Sequence, residues 1–165
     1  HCGCQMVDML VLDGRDERLK FLGLDGILTA TCCPNCVGFL KGPAFNSFTL
    51  DGGAEVFPSE LFDEAEKMDC YVRPEEYKEL TENPFVLGKA PVPLFYGSAC
   101  EDVNTVGGFA NWVQDAEYTT CPHCDKPMKY LAQIQWDTVM DGTEGTLYIE
   151  FCPECQIVSM QHQQT

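Results

Sequence analysis

The fold is decided by the stretch that runs from Cys121-Pro122-His123-Cys124 to Cys152-Pro153-Glu154-Cys155. The 27 residues between these turns hold two β-type segments, 128–136 and 146–151, separated by a polar stretch with two glycines at 141–145. Two strands joined in this way form a hairpin whose outer ends each carry a two-cysteine turn. Four thiols then meet at one centre, as in a zinc ribbon, where each sulfur lies about 2.3 Å from a tetrahedral ion.

A third copy of the turn, Cys33-Pro34-Asn35-Cys36, predicts an internal repeat. Aligning it on Cys152–Cys155 places Gly26 on Gly145, and residues 6–12 then lie opposite residues 128–134. On this register Cys2 corresponds to Cys124, and the counterpart of Cys121 falls before His1. Either Cys4 supplies the missing ligand, or a ligand precedes His1; His1 itself can also replace one sulfur, because imidazole binds zinc well. The favoured set of eight metal ligands is Cys2, Cys4, Cys33, Cys36, Cys121, Cys124, Cys152 and Cys155.

The predicted fold is therefore mostly β (α+β with short helices), with two pseudo-repeated, zinc-ribbon-like hairpin lobes joined by an irregular middle segment. The first unit covers residues 1–40, the connecting segment 41–105 and the second unit 106–165. Within the connecting segment we expect strands at 45–50 and 54–57 and short helices at 59–68 and 74–82. Residues 84–99 contain three prolines and should be extended and irregular. The polar residues 161–165 read as an unstructured tail.

Composition limits the function classes. The chain has 165 residues, 45% of them hydrophobic, which is enough for a core. No apolar run approaches the roughly 18 residues that a membrane helix needs, so we expect no membrane partner. The chain opens His1-Cys2-Gly3-Cys4 without an apolar leader, and we expect a cytoplasmic protein. Oligomeric state is not indicated by any pattern.

The net charge points to the kind of partner. The formal charge is −16, and each four-thiolate zinc site would add two more negative charges. Such a surface repels a phosphate backbone, so we expect no nucleic-acid binding, and it suits a basic protein partner.

Eleven cysteines cannot all pair as disulfides, and three copies of the turn beside β-type segments favour metal over a thioredoxin-like redox site. Zinc is the expected ion, with rubredoxin-type iron as the alternative, because both accept four sulfurs in a tetrahedron. The leftover thiols Cys32, Cys70 and Cys100 are expected to be buried and inert. No catalytic triad, phosphate loop or His-Glu-x-x-His is present in the sequence, so we expect no enzyme activity.

A glycine-rich motif precedes the second unit. In Gly107-Gly108-Phe109-Ala110-Asn111-Trp112-Val113-Gln114 the paired glycines permit positive φ, and Trp112 is expected either to pack inside the protein or to anchor a partner.

This motif, Cys121-x-x-Cys124, Leu131-Ala132-Gln133 and Cys152-x-x-Cys155 together resemble the programmed cell death protein 2 family and the bacterial YwqG-like family. The resemblance is clear over residues 106–156 and weak over 1–40. Ala110 stands where those families usually have Pro, and no Gly follows Cys36, Cys124 or Cys155, so support for the sulfurs is expected from Gly38 or from Asp125 in a left-handed turn.

The resemblance implies a mostly β, duplicated fold without catalytic residues. Its eukaryotic members act as chaperones for a basic ribosomal protein, and bacterial relatives occur among proteins proposed to neutralise toxins. The expected function is a non-enzymatic, zinc-binding interaction module for a basic protein. The alternatives are a bacterial immunity protein that neutralises a basic toxin, and a metal- or thiol-dependent enzyme of unknown reaction.

Overall fold

The computed structural model describes residues 2–40, 42–57, 72–82, 84–88, 104–140 and 142–164. This part of the chain is mostly β, as predicted. Strands β1 and β2 form a two-stranded antiparallel sheet, and the other six form a second antiparallel sheet in the order β4-β3-β8-β7-β6-β5. The strands are β1 (Val7–Asp13), β2 (Ile27–Cys32), β3 (Ala44–Phe48), β4 (Ala54–Val56), β5 (Thr105–Val106), β6 (Lys129–Gln135), β7 (Thr146–Cys152) and β8 (Ile157–Gln163).

The helices of the described residues are short. Helix α1 (Pro74–Glu82) has the bounds that the sequence predicts. Short 3₁₀ helices occur at Glu17–Leu22, Val37–Phe39 and Trp136–Thr138. The helix expected at 59–68 lies outside the described residues, and residues 84–88 have no regular structure, as expected for this proline-containing stretch. No helix in the described ranges has the length and hydropathy that a bilayer crossing requires.

The hairpins β1–β2 and β6–β7 share one register. The first pairs Val7 with Cys32 at its open end, and the second pairs Lys129 with Phe151. Each hairpin breaks its register after the second pair, so that Met9 and Leu131 are the unpaired residues of equivalent bulges. The alignment predicted from the cysteine turns is therefore the alignment of the two hairpins in space.

The two hairpins are not separate in their packing. Leu12 and Leu28 of the first hairpin and Leu147 and Ile149 of the second belong to one cluster of buried apolar side chains. One buried side chain also joins the sheets: Asn46 of β3 accepts a hydrogen bond from the Thr31 amide (3.0 Å) and donates one to the Thr29 carbonyl (2.9 Å). The predicted strands of the connecting segment thus become β3 and β4 at one edge of the larger sheet.

The prediction that residues 161–165 form an unstructured tail was wrong. Residues 157–163 form β8, which lies between β3 and β7 inside the six-stranded sheet. Far from being part of an unstructured tail, His162 is half-buried, packs edge-on against Trp136 with 5.6 Å between ring centroids, and places Nε2 2.9 Å from the Glu144 carbonyl oxygen. The strand reads as a tail because its outward side chains, which include Gln161 and Gln163, are polar.

We expect Gly145→Ala to destabilise the protein by about 3 kcal/mol or more. Gly145 has φ of 100°, and a Cβ placed on it would meet the Gln163 carbonyl oxygen at 2.4 Å and His162 Nε2 at 2.5 Å. Gly88→Ala is the matched control, because a Cβ at Gly88 meets no atom within 4 Å. Thermal unfolding should show a large loss of melting temperature for the first variant only; equal melting temperatures would contradict the argument.

Candidate metal centres

Four predicted ligands meet at the open end of the β6–β7 hairpin. The sulfurs of Cys121, Cys124, Cys152 and Cys155 all lie within 4.8 Å of one another, and none forms a disulfide. Cys124 Sγ lies 3.8 Å from Cys152 Sγ. Four sulfurs about 2.3 Å from a tetrahedral ion are themselves about 3.8 Å apart, so the donor set and its spacing fit such an ion. We call this group the second centre.

Two tight turns aim these sulfurs inward. The Cys121 amide donates to the Lys126 carbonyl (2.9 Å), and the Asp125 amide donates to the Cys121 carbonyl (3.0 Å). Asp125 (φ 57°) and Gln156 (φ 54°) follow the second cysteine of their turns and are the non-glycine residues with positive φ among those described. The left-handed conformation expected at Asp125 is confirmed. It reverses the direction of the chain after Cys124, although this position is not a glycine.

The second centre is seated on apolar side chains. Cys121 and Cys152 are buried together with Met128 and Ile157, and Phe45 and Phe57 pack against this group. A low-dielectric surrounding strengthens the interaction between thiolates and a cation, and here it encloses the buried residues Cys121 and Cys152, while Cys124 and Cys155 stay partly exposed.

The thiol pKa values of the second centre differ. Burial acts to raise the pKa of Cys121, but hydrogen bonds from the His123 and Cys124 amides outweigh it and hold that pKa below its usual value. Burial raises the pKa of Cys152 and raises that of Cys155 to about 12, with neighbouring sulfurs adding to the shift at Cys155. Thiolates this close repel one another, so a cation among them is what allows all four to ionise.

Three predicted ligands form a first centre at the open end of the β1–β2 hairpin. The sulfurs of Cys2, Cys33 and Cys36 lie within 4.8 Å of one another, with Cys2 Sγ 3.5 Å from Cys33 Sγ. The Cys4 amide donates to Cys2 Sγ at 3.4 Å, and the buried Asn35 side chain also hydrogen-bonds this sulfur. Burial acts to raise the pKa of Cys2, but the hydrogen bonds from the Cys4 amide, from the Cys36 and Cys33 sulfurs and from Asn35 together lower it. Gly3 follows Cys2 with φ of 78°, the counterpart of Asp125.

Cys4 does not join this group. The favoured ligand set included it, but Cys4 is disulfide-bonded and its sulfur is not available as a thiolate. His1, the other candidate within the chain, lies outside the described residues, as do Cys70 and Cys100. Cys32 is buried in the shared core as expected, and burial raises its pKa well above the usual range of a thiol.

The glycine-rich motif lies in a segment that we call the strap, residues 107–120, which follows β5 and crosses the face of the six-stranded sheet opposite the shared core. The polar side chains of that face bind strap backbone. The Asn111 amide donates to Gln133 Oε1 (2.8 Å), and the Val113 amide donates to the Tyr148 hydroxyl (2.8 Å). Gln163 Oε1 likewise accepts from the Gln114 amide at 3.1 Å.

Trp112 lies in the strap and contacts two tyrosine rings. Its ring lies 4.3 Å from that of Tyr148 and meets Tyr118 edge-on at 5.4 Å, so Trp112 packs within the protein. Gly107 and Gly108 both have positive φ, as the motif predicts. The exposed aromatic side chain of this motif is Phe109, at 93% of its full accessibility.

A buried carboxylate fixes the end of the strap next to the second centre. Glu150 is 1% exposed, and its Oε2 accepts from the Thr119 amide at 2.7 Å. Thr119 in turn accepts from the Met128 amide at 2.8 Å, which closes the loop that carries Cys121 and Cys124. Sequence reasoning missed Glu150, because a single carboxylate within a β-type segment reads as a solvent-facing residue.

A polar cavity of about 270 Å³ lies between the strap and the β6–β7 turn. Its carboxylate lining comes from Asp137 and Glu144, both exposed, and the other lining residues are Val113, Gln135, Thr143, Gly145 and Thr146.

Comparison with known proteins gives one partial likeness. The chain is 37% identical over 82 residues to the uncharacterized protein YpfL of Salmonella typhimurium, an alignment that covers 47% of this chain and 19% of YpfL. The match thus spans less than a fifth of that relative's length. No protein-family model matches the chain, and no solved structure matches it.

We expect Glu150→Ala to cost about 1–3 kcal/mol of stability, because it leaves the buried Thr119 amide without an acceptor. Glu150→Gln is the matched variant: its side-chain carbonyl can still accept from Thr119, and it removes a buried charge. Chemical denaturation should therefore place the glutamine variant at or above the parent protein and the alanine variant clearly below it. Two variants of equal stability would show that the Thr119 hydrogen bond is not what anchors the strap.

Proposed function

We propose that this chain is a non-enzymatic, zinc-binding interaction module whose partner is a basic protein. The observation that carries the proposal is the pair of cysteine clusters at the open ends of two hairpins of identical register. Each cluster offers sulfur donors alone, which suits a soft or borderline ion such as zinc, with iron as the alternative. A centre closed by four sulfurs leaves no coordination position for a substrate, so the second centre is structural.

The charge distribution supports a basic partner. In the described ranges every arginine and all lysines except Lys129 form ion pairs with carboxylates, for example Arg15 with Asp13 and Lys126 with Glu154. The formal charge of −16 therefore leaves many carboxylates without a basic neighbour. Asp137 and Glu144 at the polar cavity are two of them, and this cavity is of a size to receive a lysine or arginine side chain.

The metal assignment predicts two zinc ions per chain, each coupled to folding. Removing the pair Cys152 and Cys155, or the pair Cys33 and Cys36, by substitution with serine should each remove one ion. Cys32→Ala is the control, because Cys32 is adjacent to a predicted ligand but lies in the core; it should keep both ions. Elemental analysis of the purified protein measures the content.

Chelation gives the second readout of the same assignment. Withdrawal of metal should lower the melting temperature and reduce the far-UV circular dichroism signal of the parent protein. An unchanged spectrum and melting curve after complete metal removal would contradict a structural role. Stoichiometric iron with a red, redox-active protein would replace zinc in the assignment.

The partner assignment predicts capture of one dominant basic protein by the metal-loaded chain. Binding of that purified protein should weaken steeply from about 0.1 M to about 1 M salt, because exposed charges are screened over this range. Replacing Asp137 with Asn and Glu144 with Gln should weaken it about fivefold, at about 0.5 kcal/mol for each exposed charge. The same neutralisation of Glu75 and Glu79 on α1 is the control and should leave affinity within twofold.

Three results would contradict this assignment. They are binding to a short DNA duplex that persists at about 1 M salt, an affinity for the captured protein that does not depend on salt, and turnover of a small molecule without any protein partner.

A further inference from the structure

We propose that the outer face of the strap is the docking surface for the basic partner, and that it binds a segment in which an apolar side chain is flanked by lysine or arginine. This inference rests on the proposed function and deepens it, because it names the surface and the chemistry of the segment that binds there. Phe109 is the apolar anchor of this surface, and Asp115 and Glu117 supply its negative charge.

The strap is attached to the six-stranded sheet through its backbone. Three of its amides donate to side chains of the sheet. The carbonyl oxygens of Asp115 and Glu117 accept from the side-chain amides of Gln163 (3.0 Å) and Gln161. Because backbone groups make these contacts, the side chains of Asp115 and Glu117 are left exposed to solvent.

The apolar part of the surface lies at the start of the strap. Phe109 is 93% exposed. The half-exposed ring of Phe21 lies over Gly107, two positions before Phe109, since a Cβ placed on Gly107 would meet Phe21 Cζ at 2.9 Å. The Gly107 amide donates to the Leu131 carbonyl at 2.7 Å, so this end of the strap is fixed on the sheet. Exposed apolar side chains that lie close together mark interaction sites, and aromatic rings are frequent anchors of interfaces.

The charge of the strap has one sign. Residues 107–120 contain the carboxylates of Asp115 and Glu117 and no lysine or arginine. Neither carboxylate forms an ion pair with a residue of the described ranges. The strap also borders the polar cavity, where Asp137 and Glu144 add negative charge. A segment bound across the strap therefore gains affinity from its own lysine or arginine side chains.

Charge complementarity decides between the possible occupants of this surface. A second copy of the chain would present the same apolar side chains, but it would bring a formal charge of −16 against an equal charge. Such repulsion opposes a dimer. A basic protein is attracted by the same charge, and an apolar side chain of that protein can pack on Phe109. The occupant that fits is therefore a basic segment of another protein.

The spacing of the anchor and the carboxylates sets the length of the segment. Phe109 and Asp115 are six positions apart, and Glu117 follows two positions later. Eight extended residues span at most about 28 Å. A partner segment of about eight extended residues is thus long enough to contact Phe109 and both carboxylates.

The test measures, by fluorescence anisotropy, how the whole chain binds a short labelled peptide of lysine, leucine and glycine. A second peptide has serine in place of every leucine and should bind more weakly. We expect Phe109→Ser to weaken binding of the leucine peptide at least about fivefold and that of the serine peptide less than about twofold, because only leucine uses the apolar anchor. Asp115→Asn combined with Glu117→Gln should weaken both peptides about fivefold.

Exposed side chains outside the strap supply the matched controls. Val86 is 87% exposed, and Val86→Ser should leave both affinities within about twofold of the parent chain. Glu55 and Glu79 are exposed and form no ion pair with a described residue, so their replacement by glutamine matches the change at the strap and should have the same small effect. All variants should keep the parent melting temperature, because the substituted side chains are exposed.

Four results would overturn this inference alone. They are absence of binding by the leucine peptide, equal affinity of the parent chain for both peptides, an unchanged affinity for the leucine peptide in Phe109→Ser, and a dimer of the parent chain that Phe109→Ser dissociates in analytical ultracentrifugation. Failure of the chain to capture any basic protein would overturn the proposed function itself, whatever the peptides do.

Discussion

Repulsion among closely spaced sulfurs, and its relief by a cation, is the constraint on which this structure depends. Sulfurs 3.5–3.8 Å apart at the open ends of two hairpins cannot all ionise unless positive charge lies between them. Backbone hydrogen bonds close the individual turns, and Lys126 pairs with Glu154 across the second centre, but none of these contacts relieves the repulsion among the sulfurs. A metal ion bound among these sulfurs would join chain segments that are far apart in sequence, at the open ends of two hairpins that share one core.

The six-stranded sheet shows a second way of stabilising irregular backbone. Its inner face packs apolar side chains, and its other face presents Gln133, Tyr148, Glu150 and Gln163 to the strap. These side chains pair with backbone amides that would otherwise be buried without partners. The Gly-Gly…Trp motif and the glutamine of β6 are thus parts of one interaction, which explains why they occur together in the sequence.

Sequence reasoning succeeded where one local rule decides the structure. Pro74 predicted the start of helix α1, and the spacing of the cysteines predicted the register of both hairpins. Sequence reasoning failed where the structure depends on a contact with a residue that is distant in the sequence. Gln161 and Gln163 look like tail residues because the strap backbone that they bind is more than 40 positions away. Cys4 has a plausible spacing from Cys2, but its sulfur forms a disulfide, which its spacing from Cys2 does not indicate.

X-ray absorption at the K-edge of the bound metal tests the central claim most directly, because it reports the ligands without any substitution. The account predicts a first shell dominated by sulfur at about 2.3 Å from each ion, because every donor in the two described clusters is a cysteine sulfur. A first shell dominated by oxygen or nitrogen, or a protein that retains no metal after purification, would contradict it.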